Sequence, residues 1–293
     1  MAEPRDIAVI GLGIMGGAIA RNLIAAGFSL SGFDVDAQKM ALLAKDGVRA
    51  AGSAAAAVRG AATALTSLPS VAALDATAAE LAAAPRPGLI VIEVSTLPIE
   101  AKEAARDRLA AAGMTLLDCP ISGTGAQAVT KDLAVYASGD EGAFGSCREV
   151  FAGFARVTHY LGTFGNGSRM KFVANLLVAV HNVAAAEAIV LGTKAGLDPA
   201  RILEVIGSGA GTSRIFELRG PMMAKGVYTP PTATMHVLQK DSGIIADYAR
   251  ALGVSTPMLA AAAPLYDEAE AQGHAEEDVG AVHAVLARRA GLK

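Results

Sequence analysis

A glycine pattern set between a strand and a helix narrows the folds open to this 293-residue chain. The apolar run Ile7–Ile10 leads straight into Gly11-Leu12-Gly13-Ile14-Met15-Gly16, and a helical stretch, Met15–Ala26, follows. In that setting each glycine has a task. The first permits the tight turn and the second lets the backbone approach a pyrophosphate. The third lets helix and strand pack closely, while the helix N-terminus offers free N–H groups to the anion. With 32 glycines in the chain the pattern alone could arise by chance, so its context decides. Asp34 closes the next strand about 20 residues on, where a ribose-binding acid belongs. Its carboxylate can accept from both ribose hydroxyls and would repel a 2′-phosphate. No arginine stands between it and Lys39, so the expected cofactor is NAD rather than NADP.

The rest of the chain falls into two rhythms. Up to about Gly162, short apolar strands (Ile7–Ile10, Ser29–Phe33, Thr63–Ser67, Leu89–Val94, Met114–Leu117) alternate with Ala-rich helical stretches such as Val71–Ala83 and Pro98–Ala112. Near-continuously apolar strands separated by helices predict a parallel sheet covered on both faces. Two further strands, Leu133–Ala137 and Val157–Leu161, flank a helical stretch at Glu141–Phe151 and are expected to extend the same sheet. After Gly165 the pattern is helical, with one long run, Ser168–Ala195, and then Pro199–Ile206, Ser213–Met223, Thr234–Leu252, Pro257–Gln272 and Asp278–Arg289. Asp198 before Pro199 reads as an N-cap with proline at the first helical position. The fold class expected is an α/β, doubly wound Rossmann-type domain over residues 1–164 followed by an all-α domain over 165–293.

Composition excludes several classes. Lys+Arg 25 against Asp+Glu 28 gives a net charge of −3, with no basic excess for contacts along a nucleic-acid backbone. Cys119 and Cys147 form neither a disulfide framework nor a zinc spacing, and no metal is expected. The start, Met1–Asp6, lacks the basic and apolar parts of a secretory signal. The most apolar region, Phe172–Leu191, holds Asn175, His181, Asn182 and Glu187, which argues against a membrane span. A cytoplasmic protein is expected.

A bound nicotinamide needs a substrate beside it and a group to take the hydroxyl proton. Lys171 and Asn175 stand four apart on one face of the long helix, and Asn182 returns to roughly that face. The positive end of the helix disfavours a second cation, so that field and desolvation would lower the Lys171 pKa and make it a usable acid/base. Ser122-Gly123-Thr124-Gly125, after Pro120, is a second small-residue turn whose hydroxyls and N–H groups could hold a carboxylate. Lys240-Asp241 by itself reads as a charged pair on a helix.

Four separated motifs together resemble the β-hydroxyacid dehydrogenase family, which includes 3-hydroxyisobutyrate dehydrogenase and tartronate semialdehyde reductase. They are the residue 11–16 turn with Asn22-Leu23, Asp118-Cys119-Pro120-Ile121-Ser122-Gly123, Gly165-Asn166-Gly167 followed by Lys171 and Asn175, and Lys240-Asp241. The resemblance implies roles. Lys171 would be the general acid/base, Asn175 would orient substrate, and Ser122 and Gly123, with Thr124 beside them, would bind its carboxylate. Lys240 would close the site over the cofactor. Leu68-Pro69 and Ser95-Thr96 match cofactor loops, the latter near the nicotinamide ribose. Three positions depart from the pattern: Thr124 replaces a third glycine, Ala174 replaces an asparagine, and Arg214 stands where relatives often carry an aromatic residue. Turned inward, Arg214 could recruit a second acidic group of the substrate. His181 looks similar to a residue of relatives acting on sugar acids but lies off the Lys171 face.

The activity implied is NAD-dependent oxidation of a small 3-hydroxy acid, such as 3-hydroxyisobutyrate, to a semialdehyde or β-keto acid, or the reverse reduction. Tartronate semialdehyde reductase or threonate-like dehydrogenase activity is the alternative. A catalytically silent dinucleotide-binding module is a second class of reading, opposed by the presence of Lys171. About 130 residues follow the boundary, too few for a decarboxylating 6-phosphogluconate dehydrogenase, and Lys171 argues against an imine reductase. A substrate carboxylate bound between the domains and a homodimer or homotetramer formed through the helical half are expected.

Overall fold

Residues 6–292 are described by the structure, a computed structural model; the N-terminal stretch read above for a leader lies, as far as residue 5, outside them. The chain divides into two compact units after Lys171.

The first unit runs β1 (Asp6–Ile10), α1 (Ile14–Ala25), β2 (Ser29–Phe33), α2 (Ala37–Lys45), β3 (Arg49–Ala50), α3 (Ala54–Ala57), β4 (Thr63–Thr66), α4 (Val71–Ala83), β5 (Ile90–Glu93), α5 (Ile99–Ala111) and β6 (Thr115–Asp118). These strands form one parallel sheet in the order β3-β2-β1-β4-β5-β6. The sheet is the doubly wound one expected, and its order reverses at β1. Alternation along the strands builds two cores. Ile7 and Val9 turn to the face covered by Ile19 and Leu23 of α1, whereas Ala8 and Ile10 meet Leu74 and Leu81 of α4 and Leu109 of α5. Both faces are dry, which is why the strands read as unbroken apolar runs.

The chain then makes β7 (Ile121–Ser122), α6 (Gly125–Val129), β8 (Ala134–Ala137), α7 (Glu141–Ser146), α8 (Arg148–Phe154) and β9 (Val157–Tyr160). Here the expectation of one extended sheet fails. β7, β8 and β9 form a separate three-stranded sheet, antiparallel between β7 and β8 and parallel between β8 and β9. An isolated bridge from Asp118 to Ser138 connects it to β6. Pro120 explains the break, because it has no N–H to continue a ladder, so the chain leaves β6 and pairs anew.

α9 (Asn166–Lys194) begins in the first unit and supplies the opening helix of the second, followed by α10 (Pro199–Gly207), α11 (Arg214–Lys225), α12 (Met235–Ala251), α13 (Pro257–Ala269) and α14 (Val282–Arg289). The unit division lies seven residues beyond the expected 164/165 because the first turn of α9 is bonded to the end of β6, as shown below. Asp198 caps α10 as expected, accepting from the Ala200 N–H. α9 is long and apolar enough, by length and composition alone, to cross a membrane, despite the polar residues counted against that above. Two of those polar residues are buried and bonded inside the protein, Asn175 donating to Asp241 and Asn182 to the Val178 carbonyl, whereas His181 is half-buried and Glu187 exposed; the Ala179 carbonyl accepts from the Tyr266 hydroxyl at 2.6 Å.

A buried ion pair fixes the second unit. The Asp278 carboxylate accepts from Arg219 Nε at 2.9 Å, from the Thr232 N–H and hydroxyl at 2.8 and 2.6 Å, and from the Gly280 N–H at 2.9 Å. Burial alone would raise the Asp278 pKa, but the Arg219 charge and these bonds hold it below its ordinary value. The pair therefore stabilises the protein above the unfolded carboxylate range, near pH 4, and the gain is lost as pH falls through the lowered native value. Asp278→Ala strands Arg219 in the interior and should cost about 3–5 kcal/mol in urea unfolding at pH 7. The gap from the parent should narrow below about pH 4.

Candidate active site

Four successive chain turns meet at the carboxyl edge of the parallel sheet, beside the point where the strand order reverses. That edge is where open α/β sheets bind ligands. The Gly11 N–H donates to Phe33 O and the Ser67 N–H to Ile10 O, both at 2.9 Å, which draws the ends of β1, β2 and β4 together. The Leu68 N–H donates to Ser95 Oγ at 2.7 Å, and the Cys119 N–H donates to Glu93 O at 2.8 Å. Gly11-to-Gly16, Leu68-Pro69, Ser95-Thr96 and Asp118-Cys119 are therefore neighbouring parts of one rim.

The glycine turn has the shape its pattern implies. Gly11 sits at φ +86, and a Cβ there would lie 2.1 Å from Ser67 O; a Cβ on Gly16 would lie 1.9 Å from Gly11 O. Those two glycines are needed by the protein itself. Gly13 differs: a Cβ there would meet nothing within 4 Å. Gly13 caps α1 without a side-chain bond, and the first turn, with Ile14 and Met15, carries no acidic residue, as an anion site at a helix start requires. Asp34 is nearly buried and accepts from the Leu12 N–H at 2.7 Å and the Asp36 N–H at 2.8 Å. An ionised carboxylate has about four acceptor sites, so two remain for ribose hydroxyls. Asp36 takes the helix-capping role, accepting from the Gln38 N–H. The residues present fit a bound dinucleotide.

On the same edge lies a polar cluster in which all three carboxylate or ammonium groups are fully buried. Lys102 Nζ is 3.0 Å from Glu93 Oε2, donates to Asp118 Oδ1 at 2.8 Å, and donates to the Ser95 carbonyl at 2.6 Å. Burial would lower the Lys102 pKa, but the charges of Asp118 and Glu93 outweigh it and raise the pKa. Asp118 in turn receives the Ser168 N–H at 2.8 Å and the Ser168 hydroxyl at 2.7 Å. Ser138 Oγ bonds Asp118 and accepts from the Gly167 N–H at 2.9 Å. A Cβ on Gly167 would sit 2.2 Å from Tyr136 O and 2.6 Å from Asp118 O, so this glycine lets α9 begin flush against the strand ends.

Lys171 follows one turn later and is 8% exposed. It is a buried lysine, not a solvated surface one. Asn175, one turn further along α9, is buried too, and its Nδ2 donates to Asp241 Oδ2 at 2.7 Å. Asp241 is buried and lies 3.2 Å from Lys240 Nζ, so Lys240-Asp241 is not the exposed surface pair it resembles in isolation. Ser122 ends β7, and Gly123 follows at φ +142, where a Cβ would strike Leu133 at 2.5 Å. Thr124 has a structural task. It caps α6, exchanging bonds with Gln127 in a capping box. Arg214 is exposed and pairs with Glu217 at 3.2 Å along the surface of α11, so the inward orientation considered above is not adopted. His181 is half-buried on α9.

Residues 6–162 match the family model described as the NAD binding domain of 6-phosphogluconate dehydrogenase. Residues 165–286 match that described as NAD-binding of NADP-dependent 3-hydroxyisobutyrate dehydrogenase. The chain belongs to the 3-hydroxyisobutyrate dehydrogenase family. It is 36% identical to the L-threonate dehydrogenase of Cupriavidus necator over 95% of each chain. It is 33% identical to the NAD-dependent L-serine dehydrogenase of Pseudomonas aeruginosa, covering 95% of this chain and 96% of the other. The crystal structure of 3-hydroxyisobutyrate dehydrogenase from Salmonella typhimurium superposes with a TM-score of 0.87 at 31% identity, over 96% and 99% of the two chains. Membership in this family of hydroxyacid dehydrogenases gives the glycine turn its ligand, NAD.

The family's motifs drew attention to Lys171 and Asn175 but not to Lys102, Glu93 or Ser168. A signal was present: Lys102 falls on the buried stripe of α5 with Ile99, Ala105 and Leu109, and Glu93 ends an otherwise apolar strand.

The two kinds of glycine separate in a direct test. Gly13→Ala should cost at most about 1 kcal/mol of stability, the range of an altered helix cap. It should still weaken NAD binding at least about tenfold by titration, because the methyl group enters the ligand's space. Gly16→Ala should lower stability by about 1–3 kcal/mol before any ligand is added.

Proposed function

We propose that this protein is an NAD-preferring dehydrogenase of a small 3-hydroxy acid and that Lys171 is its general acid/base. The observation that carries the reading is the burial of Lys171, one helical turn beyond the Asp118-bound start of α9. When bound, NAD supplies the hydride acceptor. Lys171 takes the hydroxyl proton as the C–H bond of the same carbon breaks, and a carbonyl forms; in reduction it returns the proton to the oxygen. Ser122 and the Gly123 backbone hold the substrate carboxylate, while Asn175, its donor fixed by Asp241, orients the hydroxyl. Lys240 helps close the site. Thr124 and Arg214 are left out of this assignment, since one caps a helix and the other forms a surface ion pair.

Preference for NAD rests on charge. Lys39 Nζ lies 3.9 Å from Asp34 and 3.7 Å from Asp36, so one cation faces two carboxylates and the ribose end of the turn stays negative. A 2′-phosphate would be repelled there. For substrate, similarity to proteins named L-threonate and L-serine dehydrogenase favours a polar hydroxy acid over 3-hydroxyisobutyrate. We place the boundary between the cofactor domain and the helical domain at residues 164/165. Association into a homo-oligomer is supported by Val173, Leu177 and Leu191, large apolar side chains left exposed along α9.

The test is NADH appearance with L-threonate, L-serine and 3-hydroxyisobutyrate. At least one should be oxidised, with kcat/KM higher for NAD than for NADP. Lys171→Ala should lower kcat by about 10²–10⁴-fold while NAD affinity is retained. Turnover by Lys171→Ala within a few-fold of the parent would remove the assignment. NAD binding without turnover of any of the three would favour the silent module.

A further inference from the structure

Lys102 is fully buried, and all three of its N–H groups are spent. One goes to the Ser95 carbonyl, one faces Glu93 and one reaches Asp118. These partners are not equivalent. Ser95 belongs to the rim loop assigned to the nicotinamide end of the cofactor, and its hydroxyl also holds the Leu68 N–H of the neighbouring loop. Asp118 receives both bonds from Ser168 and so fixes the first turn of α9. A single ammonium group therefore binds the loop beside the cofactor to the helix that carries Lys171, with every intervening bond between 2.6 and 2.8 Å.

We propose that Lys102 and Asp118 are positioning residues, which hold the Lys171 helix in register with the nicotinamide loop. The inference rests on the reading of Lys171 as acid/base. Three features support it. First, a structural ion pair needs no link to two separate functional segments, and a buried cluster of one cation with two carboxylates is a poor source of stability for its own sake. Second, Asp118 takes the Ser168 N–H, one of the N–H groups at a helix start that lack an intrahelical partner, so it sets the orientation of the first turn. Third, Gly167 allows that turn to rest directly on the backbone of residues 118 and 136, leaving no slack between the rim and the helix. Hydride transfer depends on geometry at this level, since a misplacement of about 1 Å can cost about 10²-fold in rate.

The experiment compares Ser168→Ala and Lys102→Met with Lys171→Ala. The measurements are kcat with NAD and whichever of L-threonate, L-serine or 3-hydroxyisobutyrate is oxidised best, NAD affinity, thermal unfolding, and amide exchange across residues 167–175. Rates are expressed per NAD-binding site, so that misfolded protein does not count. Ser168→Ala removes one bond and keeps the backbone bond to Asp118, so it serves where Lys102→Met fails to fold. It should lower kcat by about 3–10-fold, with NAD affinity within about twofold and faster exchange confined to the first turn of α9. Lys102→Met, where folded, should lose about 10²-fold. If Lys171→Ala is inactive but Ser168→Ala keeps the parent's kcat, the positioning role is wrong and the acid/base reading stands. A Ser168→Ala rate that falls only in proportion to lost NAD binding or lost stability also overturns it. If Lys171→Ala stays active, or no substrate is turned over, the acid/base reading fails first.

Discussion

A fully buried lysine ammonium held between two carboxylates is the constraint around which the first unit is arranged. Taking such charges out of water costs several kcal/mol each, and the cost is met only if geometry is good and every remaining donor and acceptor is satisfied. Here that condition holds: Lys102 has three acceptors, and Asp118 has Lys102, Ser138 and the two bonds of Ser168. Satisfying them requires β5, β6, α5 and the start of α9 to end at one place. The cluster thus converts a generic parallel sheet into one with a defined helix departure at its carboxyl edge.

The division of labour among the glycines follows from the same edge. Gly11, Gly16 and Gly167 are small because protein backbone occupies the space a side chain would take, whereas Gly13 is small beside open space. Only the last kind reports on a ligand. The distinction matters because all of them look alike as letters in a motif, while substitution acts on folding at the first three and on ligand binding at Gly13.

Much of this was legible in the sequence. Strands with both faces buried are continuous apolar runs, so the parallel sheet could be read from β1, β4 and β5 directly. The helical second unit followed from one long apolar period and from Asp198-Pro199. Helix position alone leaves Lys171 looking like an ordinary surface lysine, and the family's motifs single it out. What could not be read depends on contacts distant in sequence. The departure of β7–β9 into their own sheet hangs on Pro120 and on pairing partners far along the chain. Lys102 meets Asp118 across 16 residues and Asp118 meets Ser168 across 50, distances over which no local period carries information. Thr124 and Arg214 depart from the family's pattern, and the bonds they make to Gln127 and Glu217 are local ones that the pattern does not carry.

Catalysis as proposed requires the Lys171 amine to reach the hydroxyl that is oxidised. A crystal structure of the protein with NAD and a bound hydroxy acid tests it most directly. Lys171 Nζ should lie within about 3.2 Å of the substrate hydroxyl, the hydrogen-bonding reach of a general base. The substrate carboxylate should lie against Ser122 and Gly123. A hydroxyl held by some other proton acceptor, with Lys171 paired elsewhere, would contradict it.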